Sequence, residues 1–295
     1  MTSMSNSNTS IAGMCQSVRR TLSQNLNDEL AFAGVDYVPE SGVLTLRTSN
    51  KRIGPGTLLS WHEATLYVVS VSTLNSTLEV MPGYDGGPDI AIPAGSPLRI
   101  NPRFTDYTLF QAVSDAIREM SSPMNGLYFP LNITYPGLAS DDFYPLPAGL
   151  NGVTKVLQVR ERVGTSDWMR LSPSEFTVSL NPGNQHVRIF SNGQEYEVVY
   201  AVGLAQPAAF TDDAITDCGL HQTMIDIPVI GASSTLMYGQ ESRRVHQRAQ
   251  GDPRRAEDVP ITGATGAARD LRRLFQQRID EEHARLMTQV SYRVG

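Results

Sequence analysis

The side chains able to do chemistry are few and scattered in this chain. The five histidines, His62, His186, His221, His246 and His283, show no HxxxH, HxH or His–Cys spacing. A metal site needs three or four such ligands converging, so none is expected. Asp141-Asp142, Asp212-Asp213 and Glu281-Glu282 are paired carboxylates. Helix caps and solvated faces explain them more simply than an acid–base pair, which needs a cleft. Gly263-Ala264-Thr265-Gly266-Ala267 falls short of the phosphate-binding loop and follows no strand; it reads as a lead into a helix, with Thr265 as a cap. No GxSxG is present. Gly83-Tyr84-Asp85-Gly86-Gly87 lacks the ligand ladder of a calcium loop and reads as a hairpin turn. Trp61-His62-Glu63 reads as a surface turn. Cys15 and Cys218 lie inside apolar patterns as buried thiols, which fits a reducing compartment. No catalytic residue and no cofactor is expected, and the chain does not read as an enzyme.

The elements around these residues speak more clearly. The chain has 295 residues, 40% hydrophobic and 18% charged, with net charge −6. No run approaches the ~20 apolar residues of a membrane helix, and Met1 to Ser10 has neither a basic nor an apolar leader region. The charge is unevenly spread. Glu241 to Gly295 holds 11 Arg against 8 Asp/Glu, net +3, whereas the preceding 240 residues hold 13 basic against 22 acidic groups, net −9. An acidic body carries a basic arm, a polarity typical of an interaction segment.

In chain order, residues 1–34 begin polar. Thr9 or Ser10 then caps a helix whose apolar positions run Ile11, Met14, Cys15, Val18, Leu22, Leu26, Leu30 and Ala33, ended by Gly34. Residues 35–102 switch to period two, with five short strands around Leu44, Leu59, Leu66, Leu78 and Leu98, as in a small barrel or roll. Residues 103–123 form a helix capped by Thr105, with Leu109, Val113, Ala116, Ile117 and Met120 on its buried stripe. Residues 124–207 hold seven candidate strands, the count of a sandwich. Residues 208–250 return to helix, first from Thr211-Asp212-Asp213 and then from Pro228 at the first helical position. Residues 251–295 open with a hinge-like segment carrying a Pro near each end, Asp252 to Pro260. They close with a helix from Ala267 to about Val290. The fold class is α+β. A helical bundle is assembled from separated segments, with a barrel or roll insertion, a sandwich insertion and a long C-terminal helical arm.

Three stretches resemble the head-to-tail adaptor, or connector, proteins of tailed bacteriophages. The first runs from Val68-Val69-Ser70-Val71 through Pro82-Gly83-Tyr84-Asp85-Gly86 to Asn101-Pro102-Arg103-Phe104-Thr105. The second is Tyr144-Pro145-Leu146-Pro147-Ala148-Gly149-Leu150. The third is Arg243-Arg244 through Gln250-Gly251-Asp252-Pro253-Arg254-Arg255 to Pro260 with the Arg-rich helix after it. The resemblance spans about Ile11 to Leu286. The smallest members are mostly helical, whereas this chain carries two β insertions.

The resemblance implies a virion structural protein of the neck, between capsid and tail, assembled in the host cytoplasm. It implies a homo-oligomeric ring, typically of twelve subunits, that docks on the portal protein and joins it to a stopper or tail-completion protein, with DNA passing non-specifically through the lumen. It implies no membrane. The residues expected at the portal or neighbour contact are Arg269, Leu271, Arg272, Arg273, Leu274, Phe275, Arg278 and Leu286, with Arg243, Arg244, Arg254 and Arg255 behind them. An acidic body suits a DNA conduit, since carboxylates repel phosphate. Two alternatives compete. One is a tail-completion or baseplate-hub protein. The other is a host-surface or carbohydrate-binding module, which requires Tyr128, Tyr135, Phe143, Tyr144 and Trp168 exposed on one face.

Overall fold

A computed structural model describes residues 9–23, 28–72, 76–122, 125–137, 142–146, 153–164, 167–181, 184–191, 193–249 and 262–292. It contains both helices and sheets, and so is α+β. The chain divides into two compact units. One comprises the described residues of Met1–Ala116, Gln206–Cys218 and Met224–Gln276; the other those of Ile117–Ala205, Gly219–Thr223 and Gln277–Gly295.

The first unit opens with helix α1, Ile11–Ser23. The Ser10 hydroxyl accepts the Gly13 N–H at 3.1 Å, satisfying a donor that the first turn leaves open. Ile11, Met14, Cys15, Val18 and Leu22 are buried along one stripe. The expected continuation of this helix to Ala33 is corrected: Glu29–Phe32 is a strand, β1. Leu30 and Ala33 fit a helical spacing, but Ala31 and Ala33 are the buried pair, and that alternation has period two. Gly34 therefore ends no helix. Its N–H donates to the Thr45 carbonyl at 2.7 Å, and a Cβ there would stand 2.9 Å from the Leu46 carbonyl carbon. Only glycine lets the two backbones run this close.

Five more strands complete this sheet: β2 (Val43–Thr45), β3 (Leu58–Trp61), β4 (Ala64–Ser72), β5 (Thr77–Met81) and β6 (Pro97–Ile100). Their order is β1-β6-β3-β4-β5-β2, with every neighbouring pair antiparallel. The two outermost strands also meet, through an Ala33–Leu46 bridge and an Arg47 N–H to Phe32 carbonyl bond of 2.9 Å. Inward positions fill one core of Tyr37, Leu44, Leu59, Leu66, Leu78, Ile92 and Leu98 with their neighbours. Full burial of each large apolar side chain stabilises by about 1.5–3 kcal/mol.

The loop expected to be a hairpin turn, Gly83 to Gly87, joins β5 to β6, which are not neighbours. Its Asp85 carboxylate accepts the Thr65 hydroxyl at 2.9 Å and the Thr105 hydroxyl at 2.6 Å, tying β4 to the start of the next helix. That helix, α2, is Asp106–Met120. Thr105 caps it by accepting the Thr108 N–H at 3.1 Å, and Leu109, Val113, Ala116, Ile117 and Met120 are buried as their spacing predicts.

The second unit holds seven strands in two sheets. β7 (Tyr128–Pro136), β9 (Val153–Val163), β10 (Asp167–Arg170) and β13 (Glu195–Gly203) form one sheet, in the order β10-β9-β13-β7. β8 (Asp142–Pro145), β11 (Phe176–Asn181) and β12 (Asn184–Ile189) form the other, in the order β11-β12-β8. Tyr144, Val187 and Ile189 from the three-stranded sheet pack in one core with Val159, Tyr196, Val198 and Tyr200 from the four-stranded one. Two facing sheets with a shared apolar layer follow directly from alternation along each strand.

No helix begins at Thr211. Asp212 accepts the Ala208 and Ala209 N–H groups, and Asp213 accepts those of Ile215 and Thr216, so the two carboxylates shape turns instead of capping a helix. Helix α3 is Asp226–Ala249, beginning two residues before Pro228, which falls within the first turn, where its missing N–H costs nothing. Helix α4 is Thr262–Tyr292, 31 residues and roughly 46 Å long, starting five residues before the expected Ala267.

Candidate partner-binding arm

Helix α4 is two-faced. Ala268, Phe275, Ile279, Glu282 and Leu286 are buried at steps of three, four and seven, which marks one stripe. In the first unit, the Phe275 ring lies on α3 where α3 has no side chain. A Cβ on Gly231 would be 2.6 Å from Phe275 Cε2 and 3.1 Å from the Ala116 Cβ of α2. The run Gly231-Ala232-Ser233-Ser234 keeps α3 thin at this point. The Ser233 and Ser234 hydroxyls turn back onto the Val229 and Gly231 carbonyls, so they are buried without cost. The Arg272 guanidinium covers the outer side of the same ring, 5.0 Å from its centroid.

In the second unit, Glu282 is buried, correcting its expected place on a solvated face. Its carboxylate accepts the Thr223 hydroxyl at 3.0 Å and Arg285 Nε at 2.6 Å, with an Arg278 nitrogen 3.9 Å away. Arg278 also donates to the Thr223 carbonyl at 3.1 Å and to Glu281 at 2.6 Å. Bonds from Arg278 and Gln277 hold the exposed Glu281 carboxyl below its ordinary range. Two cations and a hydroxyl around one buried carboxylate make a satisfied anchor. Sequence spacing offered a hint, since Arg278, Glu282 and Arg285 stand four and three apart; nothing in it signalled burial.

The residues expected to meet a partner therefore separate into groups. Phe275 and Leu286 are buried within the chain itself. Arg278 is engaged with Thr223 and Glu281, and Arg272 with Phe275, while Leu271 is half-buried. Arg269, Arg273 and Leu274 are exposed. Arg243 and Arg244 lie in α3, in a stretch whose backbone alone is described. Arg254 and Arg255, with the Pro-flanked segment around them, fall outside the described residues.

The histidines occupy separate settings. His62 sits at the tip of the β3–β4 hairpin with φ 48°, between the Trp61 ring (4.3 Å) and the Phe210 ring (4.9 Å). Glu63 beside it accepts the Phe210 N–H. Burial pushes the His62 imidazole below its ordinary range. His186 meets Phe143 edge-on, and His221 contacts the Thr223 hydroxyl. Cys15 and Cys218 are buried thiols; burial raises both, Cys218 to about 11. Among the described residues, no group of three or more His, Cys, Asp or Glu could hold a metal, and no helix is long and apolar enough to cross a membrane.

No protein-family model matches the chain, and no curated protein is significantly similar to it.

Proposed function

We propose that this chain is a structural virion protein, the head-to-tail adaptor of a tailed bacteriophage. It acts as a ring subunit that docks on the portal at the capsid vertex, binds a stopper or tail-completion protein below, and lines part of the DNA channel. In this reading the separated helical segments form a bundle, the six-stranded sheet is a small barrel insertion, and the seven strands are a sandwich insertion. The observation that carries the proposal is the two-faced α4. One stripe anchors the helix to its own chain through Phe275 and Glu282, and the opposite face keeps Arg269, Arg273 and Leu274 in solvent. Arginine and large apolar residues presented together are typical of protein contacts. The proposal includes no enzymatic step, no cofactor and no membrane.

The carbohydrate-binding alternative needed five aromatics on one face. Tyr128 and Tyr144 are buried, at 2% and 3% exposure. Phe143 and Trp168 are exposed, but on β8 and β10, which belong to different sheets. That pattern disfavours a sugar platform on the sandwich.

The test is the mass of the purified protein by light scattering, alone and with isolated portal rings. Joining in about one copy per portal subunit supports the adaptor. Failure to bind portal at any salt, with binding to tail components instead, moves the protein to the tail-completion or hub role.

A further inference from the structure

The first unit carries a second exposed surface of opposite character to α4. The short turn Pro39–Ser41 runs into β2, and β2 pairs with β5 so that Val43 stands opposite Glu79. Val38, Val43 and Met81 point outward at 50%, 48% and 48% exposure. Glu40 and Glu79 are exposed beside them. The chain holds no Lys or Arg from Thr21 to Leu46, and β5 holds none, so neither segment supplies a cation to these carboxylates. The surface is also indented. A groove of about 350 Å³ is lined by Ser41, Val43, Ser70, Thr77 and Glu79, where small hydroxyl side chains leave room between larger ones. Glu79 accepts the Ser70 hydroxyl at 2.9 Å and is the one charged group lining the groove among the described residues.

Strands that face solvent ordinarily turn polar side chains outward. Here the outward positions are apolar and acidic, a pattern that suits a partner which is apolar and basic. The exposed face of α4 has that chemistry. Arg269 and Arg273 stand four residues apart on one row, and Asp270 and Leu274 (40% exposed), also four apart, form the next row of the same exposed side. Neither arginine joins an ion pair among the described residues.

We propose that the Arg269/Arg273/Leu274 face of α4 in one copy docks on the Val38/Val43/Met81 surface of the next copy, its arginines meeting Glu40 and Glu79. The two surfaces differ, so the contact is heterologous and repeats from copy to copy, closing into a ring when the rotation allows. This rests on the ring reading above and names the interface that builds the ring.

The experiment uses full-length protein and two charge-reversal variants, Glu40→Arg/Glu79→Arg and Arg269→Glu/Arg273→Glu. All four positions are exposed, so both variants are expected to fold, which circular dichroism checks. Sedimentation velocity then follows assembly with and without portal. Each variant alone is expected to associate on the order of a hundredfold more weakly than the unaltered chain. An equimolar mixture of the two is expected to recover assembly with alternating copies, because reversed surface then meets reversed helix and native meets native. Variants that assemble alone like the unaltered chain, or a mixture that fails to recover, overturn the interface while leaving the ring reading intact. Failure of the unaltered protein to form any ring overturns both.

Discussion

Arg19 and Asp106 lie 87 residues apart and form a 2.7 Å ion pair with both side chains about nine-tenths buried. The same guanidinium reaches Asp28 at 3.2 Å and the Phe104 carbonyl at 3.0 Å. Arg99 on β6 closes the set, 3.3 Å from Asp28 and 3.6 Å from Asp106. Two cations and two anions thus fasten α1, β6 and the N-terminus of α2 to one another. The negative charge also sits where the α2 dipole favours it. Asp106→Ala leaves the Arg19 charge buried without its nearest anion, and such losses cost about 3–5 kcal/mol. Urea denaturation should show a loss of this size. A loss below about 1 kcal/mol would mean that the network relaxes around the gap.

Gly231 gives the α4 anchor a different test. Gly231→Ala gains about 1 kcal/mol of helix propensity but places a methyl 2.6 Å from the Phe275 ring. Gly231→Val adds bulk without that gain, and overpacking of a dense core costs roughly 1–3 kcal/mol. The expected outcome is faster proteolysis near α4 in the valine variant, while α1 and the six-stranded sheet keep their protection. Truncation after Gly251 is a poorer probe of partner binding, because it also removes Phe275, Ile279 and Leu286 from the chain's own core.

The His62 ring stacked between Trp61 and Phe210 predicts a pH dependence. Burial lowers its folded-state pKa below the ordinary 6.5. The unfolded chain therefore takes up a proton first as pH falls. The contribution to stability is full above about pH 6.5 and is lost as pH drops through the folded value. His62→Asn keeps a residue that tolerates the positive φ and removes the titration. Thermal melts from pH 7.5 to 5 should flatten in this variant relative to the unaltered chain; parallel slopes would assign the dependence to other groups.

The outer edge of β7, which pairs with no further strand among the described residues, carries Pro130 and Pro136, six residues apart and so on the same side of the strand. Both keep their places in the ladder with β13, which leaves their nitrogens toward the open edge. A nine-residue strand without one charged side chain is an invitation to pair with another chain, and these prolines blunt it. Pro130→Thr restores an edge donor. It should raise the fraction of large aggregates seen by light scattering during mild heating, with no change in the native melting cooperativity.

Local alternation and capping carried the secondary structure far. The stripes of α1 and α2, the cap at Thr105 and the seven strands of the second unit were legible because each is set by neighbours within a few residues. The sequence by itself also determined the contrast between an acidic body and a basic C-terminal segment from Glu241 onward, since charge needs no fold to be counted. Only tertiary structure decided the rest. Leu30 and Ala33 satisfy a helical spacing, yet β1 forms there because β6, nearly seventy residues on, supplies its ladder. Asp85 looked like a hairpin residue until Thr65 and Thr105 arrived from distant segments to bond it. Glu282 read as a solvated charge, and burial beside Thr223 made it an anchor; Arg19 became one only by meeting Asp106 from 87 residues away. Phe275 and Arg273 are two residues apart in one helix, and which of them is buried depends on where Gly231 leaves room for a ring. Periodicity tells that a helix has two faces, but the packing of other segments chooses which face is left to the solvent.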